Sequence, residues 1–386
     1  MTLASFLDSK PLFYDEIDYD RFPRIYAKLK EFLPTPKIVH FIGTNGKGTT
    51  GRFLFNALWR AGYRVMHYTS PHIAKFNERI HIDAKDVSDE ALDLAHSELL
   101  GLLDPQDLDA LSYFEYTTLL AMLLAKECDF VVLEAGLGGE HDATAVFAKV
   151  LSIVTPISFD HESFLGSSIK EIALTKLRSV QNSAILAEQK HSEVYKVAED
   201  LQARSNGKLE FIKHRDLLDS SDEKLIEKLS ADLAPYLAHN LSVAISALKH
   251  LGVPYDENSF DAPLFGRLTR IASNVIIDVG HNPLAASSIA EALKGERYSL
   301  IYNTYGDKNY REILSLLCPI IDEVLIIDIE GNKRVEEGAK LSRAIAELGI
   351  TSSRLTHLED EKNYLVFGSF SVVESFLKNY YPTKSI

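Results

Sequence analysis

Cysteine is almost absent. The 386-residue chain has only Cys128 and Cys318, far apart and outside any metal-ligand spacing. That argues against a disulfide framework or a cysteine zinc site, and two buried, reduced thiols are the expectation. Basic charge is short as well: Lys and Arg number 41 against 55 Asp and Glu, a formal net charge of −14. Non-specific nucleic-acid binding takes a basic surface, so this balance speaks against it. No apolar run is long enough to span a bilayer. The opening Met1-Thr2-Leu3-Ala4-Ser5-Phe6 has no basic stretch followed by a long apolar one, so no secretory signal is expected. These absences predict a cytoplasmic protein with neither a membrane nor a nucleic-acid partner. Repeats and low-complexity tracts are missing too.

What remains is an ordinary globular composition, 46% hydrophobic and 25% charged. The length suits two domains, or three. Residues 20–33 read as an amphipathic helix with Phe22, Ile25, Tyr26, Leu29 and Phe32 on one face, ended by Pro34 and Pro36. Apolar strands are predicted at 37–42, 63–68, 130–134 and 150–155. Helices are predicted at 88–103, with Ser88 as N-cap, and at 114–126. Strands alternating with helices imply a parallel sheet covered on both faces. Residues 200–230 are polar and read as surface helix or loop. A helix over 235–251 should stop at Gly252, and 253–263 reads as a linker. A second α/β pattern follows, with strands at 275–278, 299–302 and 323–329 and helices at 284–293 and 310–317.

Chemistry concentrates where the first strand ends, at Gly43-Thr44-Asn45-Gly46-Lys47-Gly48-Thr49-Thr50. Glycines let backbone N–H groups approach phosphate oxygens. Lys47 supplies a point charge for the outer phosphates and a threonine hydroxyl can ligate Mg²⁺. The helix predicted from about Gly51 adds its N-terminal partial charge. The spacing is unusual, with two residues between Gly43 and Gly46 and Gly48 between Lys47 and Thr49. A bare strand-to-helix turn with a solvated lysine is the competing reading.

Other candidates also sit at strand ends. Glu134 precedes Ala135-Gly136-Leu137-Gly138-Gly139, where a carboxylate faces the ligand crevice of a parallel sheet and can hold Mg²⁺. His161 follows the strand at 150–155; hard cations prefer oxygen, so alone it reads as a structural or surface histidine, and only its place at a strand end beside a candidate metal site favours a functional role. Asp278-Val279-Gly280-His281-Asn282-Pro283 again joins strand to helix. Asp278 can accept from ribose hydroxyls and His281 can meet a phosphate. The same turn also reads as a cap, with Asn282 at the N-cap and Pro283 at the first helical position. Arg267, on the linker side, can neutralise charge on a phosphoryl group.

These pieces run in order with Thr69-Ser70-Pro71-His72, Phe76-Asn77-Glu78-Arg79-Ile80, Ser112-Tyr113-Phe114-Glu115-Tyr116-Thr117, Asp142-Ala143-Thr144 and Gly306-Asp307-Lys308. Over roughly residues 20 to 320 the chain resembles the folylpolyglutamate synthase / dihydrofolate synthase family of the Mur ligase superfamily. The resemblance implies a P-loop-type, largely parallel N-terminal ATPase domain over 1–256. A smaller Rossmann-like α/β glutamate ligase domain follows over 257–386. It implies an ATP-dependent amide ligase adding L-glutamate to dihydropteroate and to the glutamate tail of tetrahydrofolates. The substrate carboxylate takes the γ-phosphoryl group, and the glutamate amine then displaces phosphate from the acyl phosphate.

The implied site is Lys47, Lys176, His281 and Arg267 for catalysis. Thr44, Asn45, Gly46, Lys47, Gly48, Thr49, Thr50, Asn240, Arg267 and Asp278 fall to ATP. Thr49, Glu134 and His161 fall to metal. Ser70, His72, Arg79, Phe114, Gly138 and Asp142 fall to the folate. Lys176 stands where the family carbamylates a lysine, and the His239-Asn240 helix where it contacts adenine. ATP and Mg²⁺ at two sites are implied, with a monovalent cation as a further candidate, and a monomer is expected. Four positions depart from the family pattern. Glu140 replaces a usual Arg, Ala145 a usual Asn, Asn240 a usual Gln and Val243 a usual Asn. A UDP-muramoyl-peptide ligase of the Mur type is the nearest alternative; about 36 residues before the first strand are too few for its sugar-binding domain. A non-catalytic nucleotide-binding switch is the other.

Overall fold

The computed structural model describes residues 2–10, 18–261, 264–329, 335–336 and 338–381. They form two compact units, one of Met1–Leu229 with Asn240–Ala262, the other of Ser230–His239 with Pro263–Ile386.

The first unit carries strands β1 (Lys37–Ile42), β2 (Val65–Tyr68), β3 (Ile80–Ile82), β4 (Lys85–Asp86), β5 (Phe130–Glu134), β6 (Leu151–Val154), β7 (Ser183–Leu186) and β8 (Glu210–Lys213). They lie in the order β4-β3-β2-β5-β1-β6-β7-β8. From β2 to β8 the pairing is parallel, and only the β3 and β4 edge is antiparallel. Every residue of β5, and all of β1 but Lys37, is buried, as expected for strands covered on both faces. Alternation divides the layers. Met66, Tyr68, Val131 and Leu133 join the core formed by helices Arg21–Leu29, Asp89–Leu102 and Tyr113–Leu124. His67 and Val132 face the opposite way, against Gly51 of the helix Lys47–Arg60.

The second unit holds β9 (Thr269–Ala272), β10 (Val275–Ile277), β11 (Tyr298–Tyr302), β12 (Ile321–Ile326), β13 (Thr351–Arg354) and β14 (Tyr364–Phe367). Their order is β13-β12-β11-β14-β10-β9, parallel except for β9. The α/β class with two largely parallel sheets is thus the one expected.

Several local expectations need correction. The first amphipathic helix stops at Leu29, and Phe32 lies beyond it, 59% exposed, so it does not share the buried face. The helix after the phosphate loop begins at Lys47 rather than Gly51, because Gly46 at φ +89° turns the chain directly into it. Cys128 and Cys318 are free but half-buried, not buried. Residues 200–230 include the edge strand β8, which a polar composition hid. Residues 262 and 263 of the predicted linker lie outside the described residues, as do both chain ends. Ser88 and Asn282 cap their helices as expected, the latter with Pro283 in the first turn, and Ser112 caps the helix Tyr113–Leu124. No described helix is long and apolar enough to cross a membrane.

Candidate active site

Parallel register sets the site. Phe41 pairs with Glu134 across β1 and β5, so Glu134 ends its strand level with the start of the glycine loop. Gly43, at φ +141°, is packed so tightly that a Cβ would lie 2.0 Å from Thr155 Oγ1. The loop is then tied down: the Thr44 and Asn45 amides donate to Pro156 O, and Thr44 Oγ1 donates to Ser158 O at 3.1 Å.

Two lysines converge on one carbonyl. Lys176 Nζ donates to Gly43 O at 2.9 Å and Lys47 Nζ to the same oxygen at 3.3 Å. Lys47 Nζ also stands 3.8 Å from Glu134 Oε1. Lys176 is 4% exposed. Burial, reinforced by the charge of Lys47, lowers its pKa to about 7, with Asp160 and Asp142 opposing. Glu134, 6% exposed, accepts from the Thr69 hydroxyl and from Ser70 N at 3.4 Å through Oε2, leaving Oε1 toward Lys47. The Thr49 and Thr50 hydroxyls are buried with no hydrogen-bond partner among the described residues.

A divalent cation fits this chemistry on oxygen donors. Described residues contain no group of three or more His, Cys, Asp or Glu able to hold a metal alone. One carboxylate, an orphaned hydroxyl and phosphate oxygens form the kind of set Mg²⁺ accepts. Predicted partners separate here. Ser70, assigned to the folate side, is bonded to Glu134 through its amide, whereas His161 has a described contact with Asp160 at 3.9 Å. His161 caps the short helix Glu162–Leu165 at φ +52°. Asn240 Oδ1 lies against Gly46, 2.8 Å from where a Cβ would stand, and so borders the phosphate loop.

The residues expected on the folate side all belong to the first unit. Arg79 Nε donates to His72 Nδ1 at 2.8 Å, and the guanidinium lies over Phe76 and Tyr113, 5.8 and 5.2 Å from their centroids. Burial first, and then Arg79, lower the His72 pKa to about 4. Phe114 follows Tyr113 in a helix capped reciprocally by Ser112 and Glu115, and Arg21 Nη2 holds both Glu115 oxygens at 3.0 Å. Phe114 packs on Gly136, where a Cβ would meet its ring at 2.7 Å. Gly138, at φ +73°, continues the turn, and Glu140 N bonds Thr175 O at 2.8 Å, one residue before Lys176. Asp142 closes the loop by accepting from Leu137 N, Thr144 N and Thr144 Oγ1. Burial pushes its carboxyl up, and those donors resist. Glu140 is paired with Arg178 at 3.3 Å, Ala145 donates its amide to Asp142 O, and Val243 is buried.

In the second unit Asp278 is 3% exposed. Oδ1 accepts from Gly280 N at 2.7 Å; Oδ2 accepts from Leu268 N at 2.9 Å and Tyr236 Oη at 3.2 Å. The carboxylate expected to face ribose therefore first pins Gly266–Leu268 to the turn. Burial raises its pKa against the pull of Arg267. Arg267 lies 5.2 Å from the Phe370 centroid, and the His281 ring Nδ1 is 3.2 Å from Val279 O. Sequence reasoning did not single out Thr69, Arg21, Tyr113, His40 or Thr144. Only the Ser112-x-x-Glu115 spacing offered a local signal.

No protein-family model matches the chain. It is 29% identical over 420 residues to the dihydrofolate synthase/folylpolyglutamate synthase of Haemophilus influenzae, covering 94% of this chain and 93% of that protein. It superposes on the crystal structure of Helicobacter pylori folylpolyglutamate synthetase with a TM-score of 0.80 and 37% identity, covering 99% and 98% of the two chains. Escherichia coli FolC in complex with DHPP and ADP gives a TM-score of 0.82 at 28% identity, covering 98% and 97%. The chain belongs to the folylpolyglutamate synthase/dihydrofolate synthase family.

Proposed function

We propose that this chain is an ATP-dependent ligase joining L-glutamate to dihydropteroate and to the glutamate tail of tetrahydrofolates through an acyl phosphate. The observation carrying this reading is the cluster at the end of β1. Lys47 and Lys176 share Gly43 O, Glu134 Oε1 faces Lys47, and the buried Thr49 hydroxyl, two residues after Lys47, has no hydrogen-bond partner among the described residues. Support for the ligand classes comes from the relatives: FolC is known with DHPP and ADP.

In this reading the amides of Gly43–Thr50 receive the phosphates, with Asn240 bordering the adenine. The Lys47 ammonium offsets charge on the γ-phosphoryl group as the substrate carboxylate attacks it and the bond to ADP breaks. Thr49 and Glu134, with His161 as a candidate at a second position, hold Mg²⁺, which when bound neutralises phosphate charge. His72, Arg79, Phe114, Gly138 and Asp142 line the folate pocket, with Ser70 between it and the metal. The glutamate nitrogen then attacks the acyl carbon and phosphate leaves with the C–O electron pair. We assign residues 257–386 to glutamate ligation, with Arg267 and His281 as its polar groups; the family resemblance gives Asp278 a nucleotide-binding role. A cytoplasmic monomer accords with this role.

The test supplies purified protein with ATP, Mg²⁺, L-glutamate and either dihydropteroate or tetrahydrofolate. ADP release should require glutamate and a pterin together. Lys47→Ala and Glu134→Ala should each lower turnover by about 100-fold or more with melting behaviour retained. Turnover without a pterin, or only with a UDP-muramoyl peptide, would overturn the assignment.

A further inference from the structure

One buried polar chain runs behind the loop that carries Asp142, and two of its members, His40 and Thr144, have no part in the scheme above. His40, on the central strand β1, is fully buried. Its Nε2 lies 2.7 Å from Thr144 Oγ1. That hydroxyl lies 2.6 Å from Asp142 Oδ1, while Asp142 Oδ2 accepts from Leu137 N at 2.8 Å. A hydroxyl has one proton. If Thr144 donates it to the carboxylate, it must accept from His40, which fixes the imidazole as the Nε2–H tautomer. His40 Nδ1 is then a bare lone pair, in accord with its having no hydrogen-bond partner among the described residues. The Thr144 amide donates to the same Oδ1 at 2.9 Å, so the carboxylate cannot rotate without breaking three bonds, two at Oδ1 and one at Oδ2. Lys149, the nearby cation, is occupied elsewhere, donating to Ala145 O at 2.7 Å and Phe147 O at 3.0 Å.

We propose that His40 and Thr144 are positioning residues for the pterin substrate. The imidazole N–H, acting through the Thr144 hydroxyl, holds Asp142 as an oriented acceptor and fixes the Leu137 backbone of the pocket wall. This rests on the reading of Asp142 as part of that wall. Neither residue touches the phosphate loop chemistry, so their loss should appear in the binding of the pterin and not of ATP. Groups that act through a buried charged hydrogen bond are sensitive to its removal and tolerant of a replacement that keeps the donor.

Thr144→Val removes the hydroxyl at nearly constant shape, and Thr144→Ser keeps it. His40→Leu removes the ring N–H, and His40→Gln restores an N–H near Nε2. Thr144→Val and His40→Leu should each raise KM for dihydropteroate about 10-fold, with KM for ATP and kcat within about 2-fold. The Ser and Gln variants should stay close to the parent. Nitrogen-15 spectra, assigned by comparison with His40→Gln, should show the Nε2–H tautomer of a neutral ring between about pH 6 and 8. Asp142→Asn separates the two layers of the argument. An unchanged pterin KM in that variant would remove Asp142 from the pocket wall. A raised KM there, with Thr144→Val and His40→Leu like the parent, would overturn the relay alone. Should Thr144→Val fail to fold, the tautomer still decides: an Nδ1–H ring at His40 overturns the proposal.

Discussion

Read as sequence, Lys176 is one of two lysines in the helix Ile169–Leu177. Its meaning comes from Gly43, 133 positions away, whose carbonyl its amine reaches. Burial with Lys47 close by lowers its pKa to about 7, so a large fraction of the amine is neutral at neutral pH. A neutral buried amine is a nucleophile for carbon dioxide. The nitrogen bonds the carbon, one proton leaves, and a carbamate anion replaces a cation that conflicts with Lys47. The family resemblance assigns this modification to the same position. Protein prepared without carbon dioxide should therefore lose activity and regain it with bicarbonate. Carbon-13 bicarbonate should give a carbamate resonance that Lys176→Ala lacks. Bicarbonate-independent turnover with no such resonance would leave Lys176 a plain structural amine. Asp278 shows the opposite lesson. Its place at a strand end was legible, but the three internal donors that occupy its carboxylate were not.

Elements were legible where local chemistry determines them. Apolar runs gave β1, β5 and β6. The capping residues Ser88, Ser112 and Asn282, and the glycine loop at Gly43–Thr50, all have signals within a few residues. What escaped depends on distant partners. The edge strand β8 is Glu-Phe-Ile-Lys, polar at both ends, and forms only because β7 offers it a ladder. Phe32 fits a helical period but the helix has already ended. The site divides likewise: Lys47 and Glu134 announce themselves at strand ends, whereas the Phe114–Gly136 contact joins a helix to a loop. That contact is testable. Gly136→Ala would put a methyl group 2.7 Å from Phe114 Cζ, so the ring must move. We expect about 1–3 kcal/mol of lost stability and about a 10-fold rise in pterin KM. Adding Phe114→Leu should return most of the stability, because the two changes share one contact. Equal stability and KM in Gly136→Ala would show that the wall yields freely.

At the scale of the whole molecule the distribution of buried and half-buried histidines with lowered pKa values predicts how the two units respond to acid. Among the described residues, His40, His67, His72 and His81 have lowered pKa values, with burial the largest cause in each. All four belong to the first unit. In the unfolded chain each would titrate near about 6.5. The unfolded state therefore binds more protons once pH falls below that value. The stability contributed by keeping these rings neutral is complete above about pH 7 and is lost on the way down, toward pH 4 for His72. Each ring that stays neutral costs up to about 1.4 kcal/mol per pH unit in that window. His67 is the sharpest case, since neither ring nitrogen has a partner among the described residues and it packs against Gly51. His67→Leu removes that unsatisfied group, worth about 1–3 kcal/mol. It should raise the melting temperature at pH 7 and raise it further at pH 5. Calorimetry should resolve the difference between the units, the first unit's transition falling between pH 7 and 5 by more than the second's. A first-unit transition that does not move, or a His67→Leu protein less stable at pH 7 with the same pH slope, would mean that the buried rings are solvated by ordered water and titrate normally.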